Sequence, residues 1–389
     1  MTKKRILLYY PPNKRSIAIE TLCRAVVEAG HELIVLTLTP RGDFHQKMEE
    51  IGATTYTTIV DRKPSWKYFL VQTRRLIRFC NRHKIDMVWS HLQESNVIAV
   101  LAQQFIPAKV VAFRHHAESA FYAEYGDQFG MERNKNEIRF DKVINRLAKT
   151  IVIPSSGVWY GMEKYEGANM KKVVLAPYIY DFSTYDKPDP AKVKMIRETH
   201  SCKLLLIMVS RFVASKQHQP VFEVLNDLVK EGLDIKMIVM DDGPLRPMIE
   251  EYTKTNKLEN VVDFVGFKKD FINYMAAADL LMHPSLTEAS SNVAKEMGLL
   301  EKTIAVCKDV GDFNDYICDR ENGYLMKREN LKEEIEKAVR LAYEHPDELT
   351  KMGQHLKKDV LKLFNDTPEN RKRFLALIEK NNKPVQQSA

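Results

Sequence analysis

Runs of apolar residues alternate with segments of helical periodicity along most of the chain. The first half holds apolar runs of strand length at 6–10, 31–38, 86–91, 108–116, 149–155 and 172–178. The second half holds further runs at 203–211, 234–242, 261–267, 279–285 and 302–307. Helical patterns lie between them, such as Ile17–Ala29 and Pro220–Glu231. This alternation predicts two doubly wound α/β units, each a parallel sheet covered by helices on both faces.

A polar stretch separates the two rounds of this pattern at 186–194. We therefore predict an N-terminal domain over 1–185, a linker over 186–200, a C-terminal domain over 201–360 and C-terminal helices over 361–389, with a return to the first domain as one option. Each domain is long enough to bury its own apolar core. Two such units leave a cleft between them, where ligands of open α/β sheets usually bind.

The composition is that of a globular protein, with 44% hydrophobic and 29% charged residues in 389. Five cysteines stand singly, so neither a zinc site nor a disulfide framework is indicated, and isolated thiols fit a reducing compartment. The first apolar run ends at Pro11, which excludes a signal peptide. No apolar run approaches the roughly 18 residues needed to span a bilayer. We expect a cytoplasmic protein.

Positive charge is concentrated in the first half of the chain. Through Tyr185 there are 27 Lys and Arg against 18 Asp and Glu, whereas the remainder has 32 against 34. The segment Arg62–Lys84 carries eight Lys and Arg and no acid, with Trp66, Tyr68 and Phe69 near its start. It is either a solvated amphipathic helix or a contact with an anionic membrane surface. Nucleic acid is not expected as a partner, because no recognised binding motif accompanies the charge.

The segment His283–Gly298, which reads HPSLTEASSNVAKEMG, has the pattern of a strand end, a short polar loop and a helix. Glu288 and Glu296 are separated by seven residues. A helix N-terminus offers unpaired backbone N–H groups that suit a diphosphate or sugar hydroxyls. Glu296 falls one turn into the helix, where a carboxylate can accept hydrogens from two ribose hydroxyls. The candidate donor-binding residues at the helix start are Ser290, Ser291, Asn292 and Val293.

This E-x7-E spacing after a strand end resembles the donor-site motif of retaining GT-B glycosyltransferases, especially family 4. The likeness covers residues 200–345 densely, and five ordered motifs together are far more specific than one. The other motif segments are EMGLLEKTIAV, DVGDFNDYICDRENGYLM, MDDGPLRPMIEE with Gly243 and Pro244, and FVGF followed by DFINYMAAADLLMHPS.

The resemblance implies the GT-B fold, in which two Rossmann-like domains face each other across a cleft. It also implies transfer of a hexose-type unit from a UDP- or GDP-sugar to a glycan or lipid-linked acceptor, with retention of anomeric configuration. Bacterial cell-surface polysaccharide or lipopolysaccharide biosynthesis is a typical setting for such enzymes.

In the resembled family, an Arg and a Lys spaced like Arg211 and Lys216 clamp the donor diphosphate. The leaving nucleoside diphosphate gains negative charge as the glycosidic bond breaks, and fixed cations stabilise that charge. No D-x-D tripeptide is present, and Asp241–Asp242 is a simple pair beside a turn. We therefore predict that catalysis needs neither a divalent metal nor another cofactor.

By the same resemblance, Glu288 contacts hydroxyls of the donor sugar and Glu296 contacts the ribose. We assign Glu288 to sugar positioning and not to covalent attack. A His in this region of related enzymes often faces the donor sugar, and here His115 and His116 both qualify. Alternation from Val111 places one inward and one outward, and His116 is slightly favoured as the catalytic member.

Two segments depart from the resembled pattern. Related enzymes often have a Gly-rich loop after the first strand, whereas Pro11–Ser16 contains no glycine. Either Lys14 and Arg15 substitute as phosphate-binding groups, or the pocket has a different shape there. The second departure is Gly311–Phe313, where a second Gly is common.

Three other functions compete with this hypothesis. A sugar-nucleotide epimerase or hydrolase of the same fold would act without an acceptor. A non-catalytic GT-B subunit would bind a partner enzyme, but the intact Glu288, Glu296, Arg211 and Lys216 argue against a decayed site. A Rossmann dehydrogenase is disfavoured, because no G-x-G-x-x-G follows the first strand.

Overall fold

The computed structural model describes residues 2–59, 65–116 and 118–379. The described residues divide into two compact units. Unit 1 contains the chain up to Ser183 together with the residues from Phe364 onward, and unit 2 is Thr184–Leu363. Arg62 and Lys63 of the basic segment, and 380–389 of the predicted C-terminal helices, lie outside the described residues.

The strands are β1 Arg5–Tyr9, β2 Glu32–Thr37, β3 Thr54–Thr57, β4 Met87–His91, β5 Lys109–Phe113, β6 Ile151–Ile153, β7 Val173–Leu175, β8 Leu204–Val209, β9 Ile235–Met240, β10 Val262–Gly266, β11 Leu280–His283, β12 Thr303–Cys307 and β13 Tyr324–Met326. The α-helices are α1 Ile17–Glu28, α2 Asp43–Ile51, α3 Trp66–His83, α4 Gln93–Ala102, α5 Glu118–Tyr125, α6 Lys135–Leu147, α7 Ser156–Glu166, α8 Pro190–Thr199, α9 His218–Lys230, α10 Arg246–Thr255, α11 Phe271–Ala277, α12 Asn292–Leu299, α13 Phe313–Tyr316, α14 Leu331–Glu344, α15 Pro346–Phe364 and α16 Pro368–Glu379.

Unit 1 is built on a parallel sheet of seven strands in the order β3-β2-β1-β4-β5-β6-β7. The direction of the strand order reverses between β1 and β4. The six predicted strands of this half are confirmed, whereas β3 was not predicted. Its sequence TTYT has no buried residue, because it lies at the edge of the sheet and packs on few neighbours. An apolar run is therefore not required there.

Unit 2 is built on a parallel sheet of six strands in the order β10-β9-β8-β11-β12-β13. The five predicted strands are confirmed, and the short edge strand β13 was not predicted. All six residues of β8 are apolar and the first five are buried, as a strand covered on both faces requires. The strand order reverses between β8 and β11, so the carboxyl ends of these two strands flank the position where open α/β sheets bind ligands.

The predicted doubly wound α/β architecture is confirmed in both units. The segment expected to be a linker, 186–200, contains helix α8 and belongs to unit 2. Asp189 caps this helix by accepting a hydrogen bond from the N–H of Ala191 at 2.9 Å, and Pro190 occupies its first turn. Both features favour helix initiation in a polar sequence. Within the described ranges, no helix combines the length and the apolar character that crossing a membrane requires.

Candidate active site

Two loops meet at the reversal point of the unit 2 sheet. The loop after β8 carries Arg211 and Lys216, and the loop after β11 carries Glu288. Because β8 and β11 pair in parallel, both loops leave the same edge of the sheet. The sheet therefore brings together side chains that are far apart in sequence, at the edge where ligands of this architecture bind.

Glu288 is held by two basic side chains. His283 Nε2 lies 2.8 Å from its Oε1 atom, and Lys216 Nζ donates a hydrogen bond to the same oxygen. Lys216 also donates to the hydroxyl of Ser285 at 3.2 Å. The Glu288 side chain is 15% exposed, so this ion pair is largely shielded from water.

Burial by itself would raise the pKa of Glu288, but the hydrogen bonds and charges of His283 and Lys216 outweigh burial and lower the pKa to about 2. Glu288 is therefore a carboxylate at any physiological pH. A carboxylate only accepts hydrogen bonds, so it can bind hydroxyl groups but cannot act as a proton donor.

Gly311 packs directly against the backbone and Cβ of Glu288. A Cβ atom on Gly311 would lie 2.7 Å from the Cβ of Glu288, and the φ angle of Gly311 is +54°. Both the contact and the left-handed backbone require glycine here. The glycine of the GDF segment is therefore required for the placement of Glu288.

Glu296 lies in α12 in an environment unlike that of Glu288. Burial raises the pKa of Glu296 to about 7, and the neighbouring charge of Lys295 lowers it only in part. The two glutamates of the E-x7-E motif thus have opposite shifts. Without ligand, Glu296 is close to half-protonated at neutral pH, and a ligand that donates hydrogen bonds to it would favour its ionised form.

The start of α12 is occupied by contacts within the unit. Ser291 caps the helix, since its Oγ accepts from the N–H of Ala294 at 3.4 Å. The N–H of Ser291 donates to Asp312 Oδ1 at 3.3 Å, so this predicted anion-binding group already has an acceptor. Asn292 is exposed and Val293 is half-buried.

An ion pair that sequence reasoning missed lies beneath this loop. Lys295 Nζ is 2.6 Å from Asp312 Oδ2. Lys295 also donates to the hydroxyl of Ser290 at 2.9 Å. The only sequence signal was the departure at Asp312, where related sequences commonly have glycine.

The loop that carries Arg211 is supported by the turn after β9. Phe212 is buried, while Arg211 is exposed and forms no ion pair within the described residues. The N–H of Phe212 donates to the carbonyl of Asp242 at 3.1 Å. A Cβ on Gly243 would lie 2.7 Å from the backbone N and O of Phe212. The glycine before the exposed Pro244 is therefore needed for this close backbone approach.

A second missed residue, His218, lies behind the Arg211 loop. Its ring stacks on Phe212 with centroids 4.2 Å apart, and its Nε2 is 3.3 Å from the hydroxyl of Ser210. Burial, with a smaller contribution from the charge of His283, lowers the pKa of His218 to about 4. It is therefore a neutral packing partner at neutral pH.

In unit 1, the two candidate histidines follow β5 and have different partners. His115 Nε2 is 2.9 Å from Nδ1 of the buried His91, and its Nδ1 is hydrogen-bonded to the hydroxyl of Tyr178. Burial lowers the pKa of His115 to about 4. His116 Nδ1 lies 2.8 Å from Glu118 Oε2. The two rings thus belong to separate polar clusters of the same unit.

A buried charge network fixes the segment that carries these histidines. Arg114 is 3% exposed and pairs with both Asp141, at 3.2 Å, and Glu166. His116 Nε2 also approaches Asp141 Oδ1, at 3.5 Å. Burial would raise the pKa of Glu166, but its bonds to Arg114 outweigh this and lower the pKa to about 2. The segment after β5 is therefore tied to α6 and α7.

The glycine-free loop after β1 places its two basic residues differently. Lys14 is exposed. Arg15 donates two hydrogen bonds, each of 2.8 Å, to the two carboxylate oxygens of Glu20 in α1. Arg15 therefore already has a carboxylate partner in unit 1.

Among the described residues, no three or more His, Cys, Asp or Glu side chains are grouped so as to hold a metal ion.

The described part of the basic segment forms α3, whose solvent side presents Trp66 and Leu70, 51% and 55% exposed. The exposed basic residues on the same helix are Lys67, Arg74, Arg75, Arg78 and Arg82.

Two family models match the chain. Residues 195–359 match the glycosyl transferases group 1, and residues 16–177 match glycosyltransferase family 4. Together they cover most of both units.

Two characterised bacterial proteins are similar over nearly the whole chain. The alpha-monoglucosyldiacylglycerol synthase of Acholeplasma laidlawii is 22% identical over 378 residues, which is 92% of each chain. The N-acetyl-alpha-D-glucosaminyl L-malate synthase of Bacillus anthracis is 22% identical over 362 residues, which is 88% of each chain.

Solved structures agree in fold. The Anabaena protein Alr3699/HepE in complex with UDP superposes with a TM-score of 0.77 at 17% identity, covering 97% of this chain and all of that one. Its complex with UDP-glucose gives a TM-score of 0.76 with the same coverage. The matched families, the E-x7-E site and the two doubly wound sheets lead to one conclusion: the chain belongs to the GT-B glycosyltransferases of family 4.

Proposed function

We propose that this glycosyltransferase moves a sugar from a UDP- or GDP-sugar to a glycan or lipid-linked acceptor, with retention of anomeric configuration and without a metal. The observation that carries the proposal is the carboxyl group of Glu288, held by Lys216 and His283 at the reversal point of the unit 2 sheet. A fixed carboxylate next to a cation suits a site that holds sugar hydroxyls beside a diphosphate.

The chemistry of the transfer assigns a task to each side chain. The bond between the sugar C1 and the diphosphate oxygen breaks, and the acceptor oxygen bonds to C1 on the same face. The acceptor proton passes to the departing diphosphate. Lys216 and Arg211 stabilise the charge that develops on that diphosphate, which is the task that a divalent metal performs in other transferases. Glu288 orients the sugar, and Glu296 accepts from the ribose hydroxyls.

UDP is the favoured nucleotide of the two. The Anabaena protein with the same fold was solved with UDP and with UDP-glucose. A lipid-linked acceptor is supported by the name of the Acholeplasma relative, whose product is a glycolipid. The α3 surface, with exposed Trp66 and Leu70 beside five exposed basic residues, suits contact with the anionic membrane where such an acceptor lies.

The decisive experiment begins with a thermal-shift panel of UDP, GDP, ADP and CMP and their sugar conjugates, each with and without EDTA. A ligand that binds the folded state raises the melting temperature by mass action. We expect a shift with UDP and UDP-sugars that EDTA does not change. Loss of the shift with EDTA would overturn the metal-independent assignment, and no shift with any donor would favour a partner-binding subunit.

The stereochemistry and the need for an acceptor are tested with the donor that the panel identifies. Proton NMR of the product, recorded before anomers equilibrate, should show the same anomeric configuration as the donor. Inversion would contradict the retaining mechanism. Full-rate turnover of the nucleotide sugar in the absence of any acceptor would instead identify an epimerase or a hydrolase.

A further inference from the structure

A fully buried ion pair joins α12 to the turn that precedes α13. The side chain of Lys295 is 1% exposed and that of Asp312 is 0% exposed. Lys295 Nζ lies 2.6 Å from Asp312 Oδ2 and 5.6 Å from the centre of the Tyr316 ring. Neither charged residue belongs to the proposed donor-binding residues.

Both charged groups bind the same two serines. Lys295 Nζ donates to Ser290 Oγ and to the carbonyl of Ser291, each at 2.9 Å, in addition to Asp312. An ammonium group has three hydrogens, so all of them have an acceptor. Asp312 accepts from Ser290 Oγ at 2.7 Å and from the N–H of Ser291 at 3.3 Å. Ser290 and Ser291 are thus held by hydrogen bonds to both Lys295 and Asp312.

The pair also stands next to both glutamates of the motif. Lys295 directly precedes Glu296 in α12. Asp312 directly follows Gly311, which is packed against Glu288. A shift of Lys295 would therefore be transmitted along the backbone to Glu296, and a shift of Asp312 through Gly311 and its packing contact to Glu288.

A buried ion pair is poorly suited to stabilising a fold. Removing two charges from water costs free energy that their attraction repays only in part. Such a pair does penalise every conformation in which one charge loses its partner, because an unpaired buried charge is strongly unfavourable. The cluster around Lys295 and Asp312 therefore selects one geometry of the loop more than it contributes to the free energy of unfolding.

We propose that Lys295 and Asp312 are a positioning pair for the donor loop, defined as Glu288–Asn292. The pair sets the conformation in which Glu288 of the donor loop and Glu296 of the adjoining helix α12 face the nucleotide sugar. This inference rests on the proposed donor site, and the positioning part can be measured without any ligand.

The test uses the double variant Lys295→Met/Asp312→Asn, which removes both charges and nearly preserves volume. Hydrogen exchange of the unliganded protein, measured by mass spectrometry, should rise roughly tenfold in a peptide that covers the donor loop and stay unchanged elsewhere in unit 2. UDP affinity by calorimetry should fall at least roughly tenfold, while the melting temperature stays within about 3 °C of the wild type.

The matched control is Arg197→Met/Asp279→Asn. It removes an ion pair of 2.8 Å at the opposite end of β11 in the same unit. We expect it to leave both donor-loop exchange and UDP affinity unchanged. If Lys295→Met/Asp312→Asn does not fold, Ser290→Ala is used in its place. This variant removes one hydroxyl from the cluster and keeps both charges, and hydrogen exchange of its donor loop is measured in the same way.

The outcomes distinguish failure of the positioning role from failure of the donor-site assignment. Unchanged donor-loop exchange in the folded variant, or unchanged UDP affinity, overturns the positioning role. A fall in affinity that only follows a fall in melting temperature also overturns it, since that is a stability effect. Raised donor-loop exchange in a protein whose wild type binds no nucleotide would support the positioning and overturn the donor-site assignment.

Discussion

His283 Nε2 lies 2.8 Å from Oε1 of Glu288, at the carboxyl end of the strand that flanks the reversal of the unit 2 sheet. The contact spans only five residues, yet its consequence depends on Lys216, which reaches the same oxygen from 72 residues away. Together they make Glu288 an ionised hydrogen-bond acceptor.

Glu288→Gln should reduce turnover by about 10²-fold, because a neutral amide orients the sugar less well than a fixed carboxylate. The change is measured as kcat for transfer from the identified donor, with circular dichroism as a check on folding. Glu301→Gln is the control, since it removes an exposed carboxylate that pairs with Lys357 in the same unit. Equal activity of the two variants would exclude Glu288 from the chemistry.

Donor affinity should depend on the ionisation of Glu296. Its pKa is raised to about 7, so it is mostly protonated below that pH and must lose a proton to accept two ribose hydrogen bonds. The affinity for UDP-glucose should fall as pH drops below 7, by at most about tenfold per pH unit. Above about pH 8 it should be constant, because Glu296 is then already ionised.

Tyr185, which neighbours Glu296, does not titrate in this window, because burial raises the pKa of its phenol further above the usual range. The diphosphate diester of UDP-glucose keeps its charge throughout. Calorimetric titrations across neutral pH test the slope, with Glu296→Gln as the control that should bind weakly and show none. A pH-independent affinity of the wild type would be inconsistent with ribose binding by Glu296.

Gly311→Ala should displace Glu288. Alanine in the left-handed region costs about 1 kcal/mol of stability, and here its Cβ would also lie 2.7 Å from the Cβ of Glu288. Gly232→Ala is a matched control, because Gly232 has φ +92° and no atom within 4 Å of the place that an alanine Cβ would take. We expect the backbone strain of a left-handed alanine in both variants, and the additional clash with Glu288, with loss of UDP-sugar affinity, only in Gly311→Ala. Chemical denaturation and calorimetry measure the two effects.

Reversing the charge of α3 should weaken binding to anionic membranes. Each basic residue near such a surface contributes about 1 kcal/mol of attraction. Arg74→Glu/Arg75→Glu/Arg78→Glu should therefore lose most co-sedimentation with phosphatidylglycerol vesicles at low salt. Lys254→Glu/Lys257→Glu/Lys351→Glu changes three exposed lysines of unit 2 and should retain binding. Absence of wild-type binding at low salt would rule out the membrane surface.

The central strands of both sheets could be predicted because each is buried on both faces and so must be apolar throughout. β8, with the sequence LLLIMV, is the clearest example. The edge strands β3 and β13 were not predicted, because a strand at the edge of a sheet needs neither the length nor the continuous apolar run of a central strand. Helix α8 was also missed, because its polar sequence is made helical by the cap of Asp189 and not by an apolar face.

The site residues divide in the same way. Arg211, Lys216, Glu288 and Glu296 could be proposed because their strand–loop–helix segments resemble the family motifs. The partners that control them could not. Lys295 and Asp312 are 17 residues apart, and the departure at Asp312 does not by itself indicate that the two side chains meet in the interior of the unit.

The sequence by itself determined the two-unit α/β class, the family resemblance and the candidate donor loop, because helical and strand periodicity and motif spacing are properties of neighbouring residues. Only the tertiary structure decided that Glu288 is ionised while Glu296 has a pKa near 7. Two identical side chains acquire opposite properties because one is buried against His283 and Lys216, whereas the other is buried without a comparable cation. Their charge depends on which strands lie side by side, and that is a relation between residues far apart in the chain.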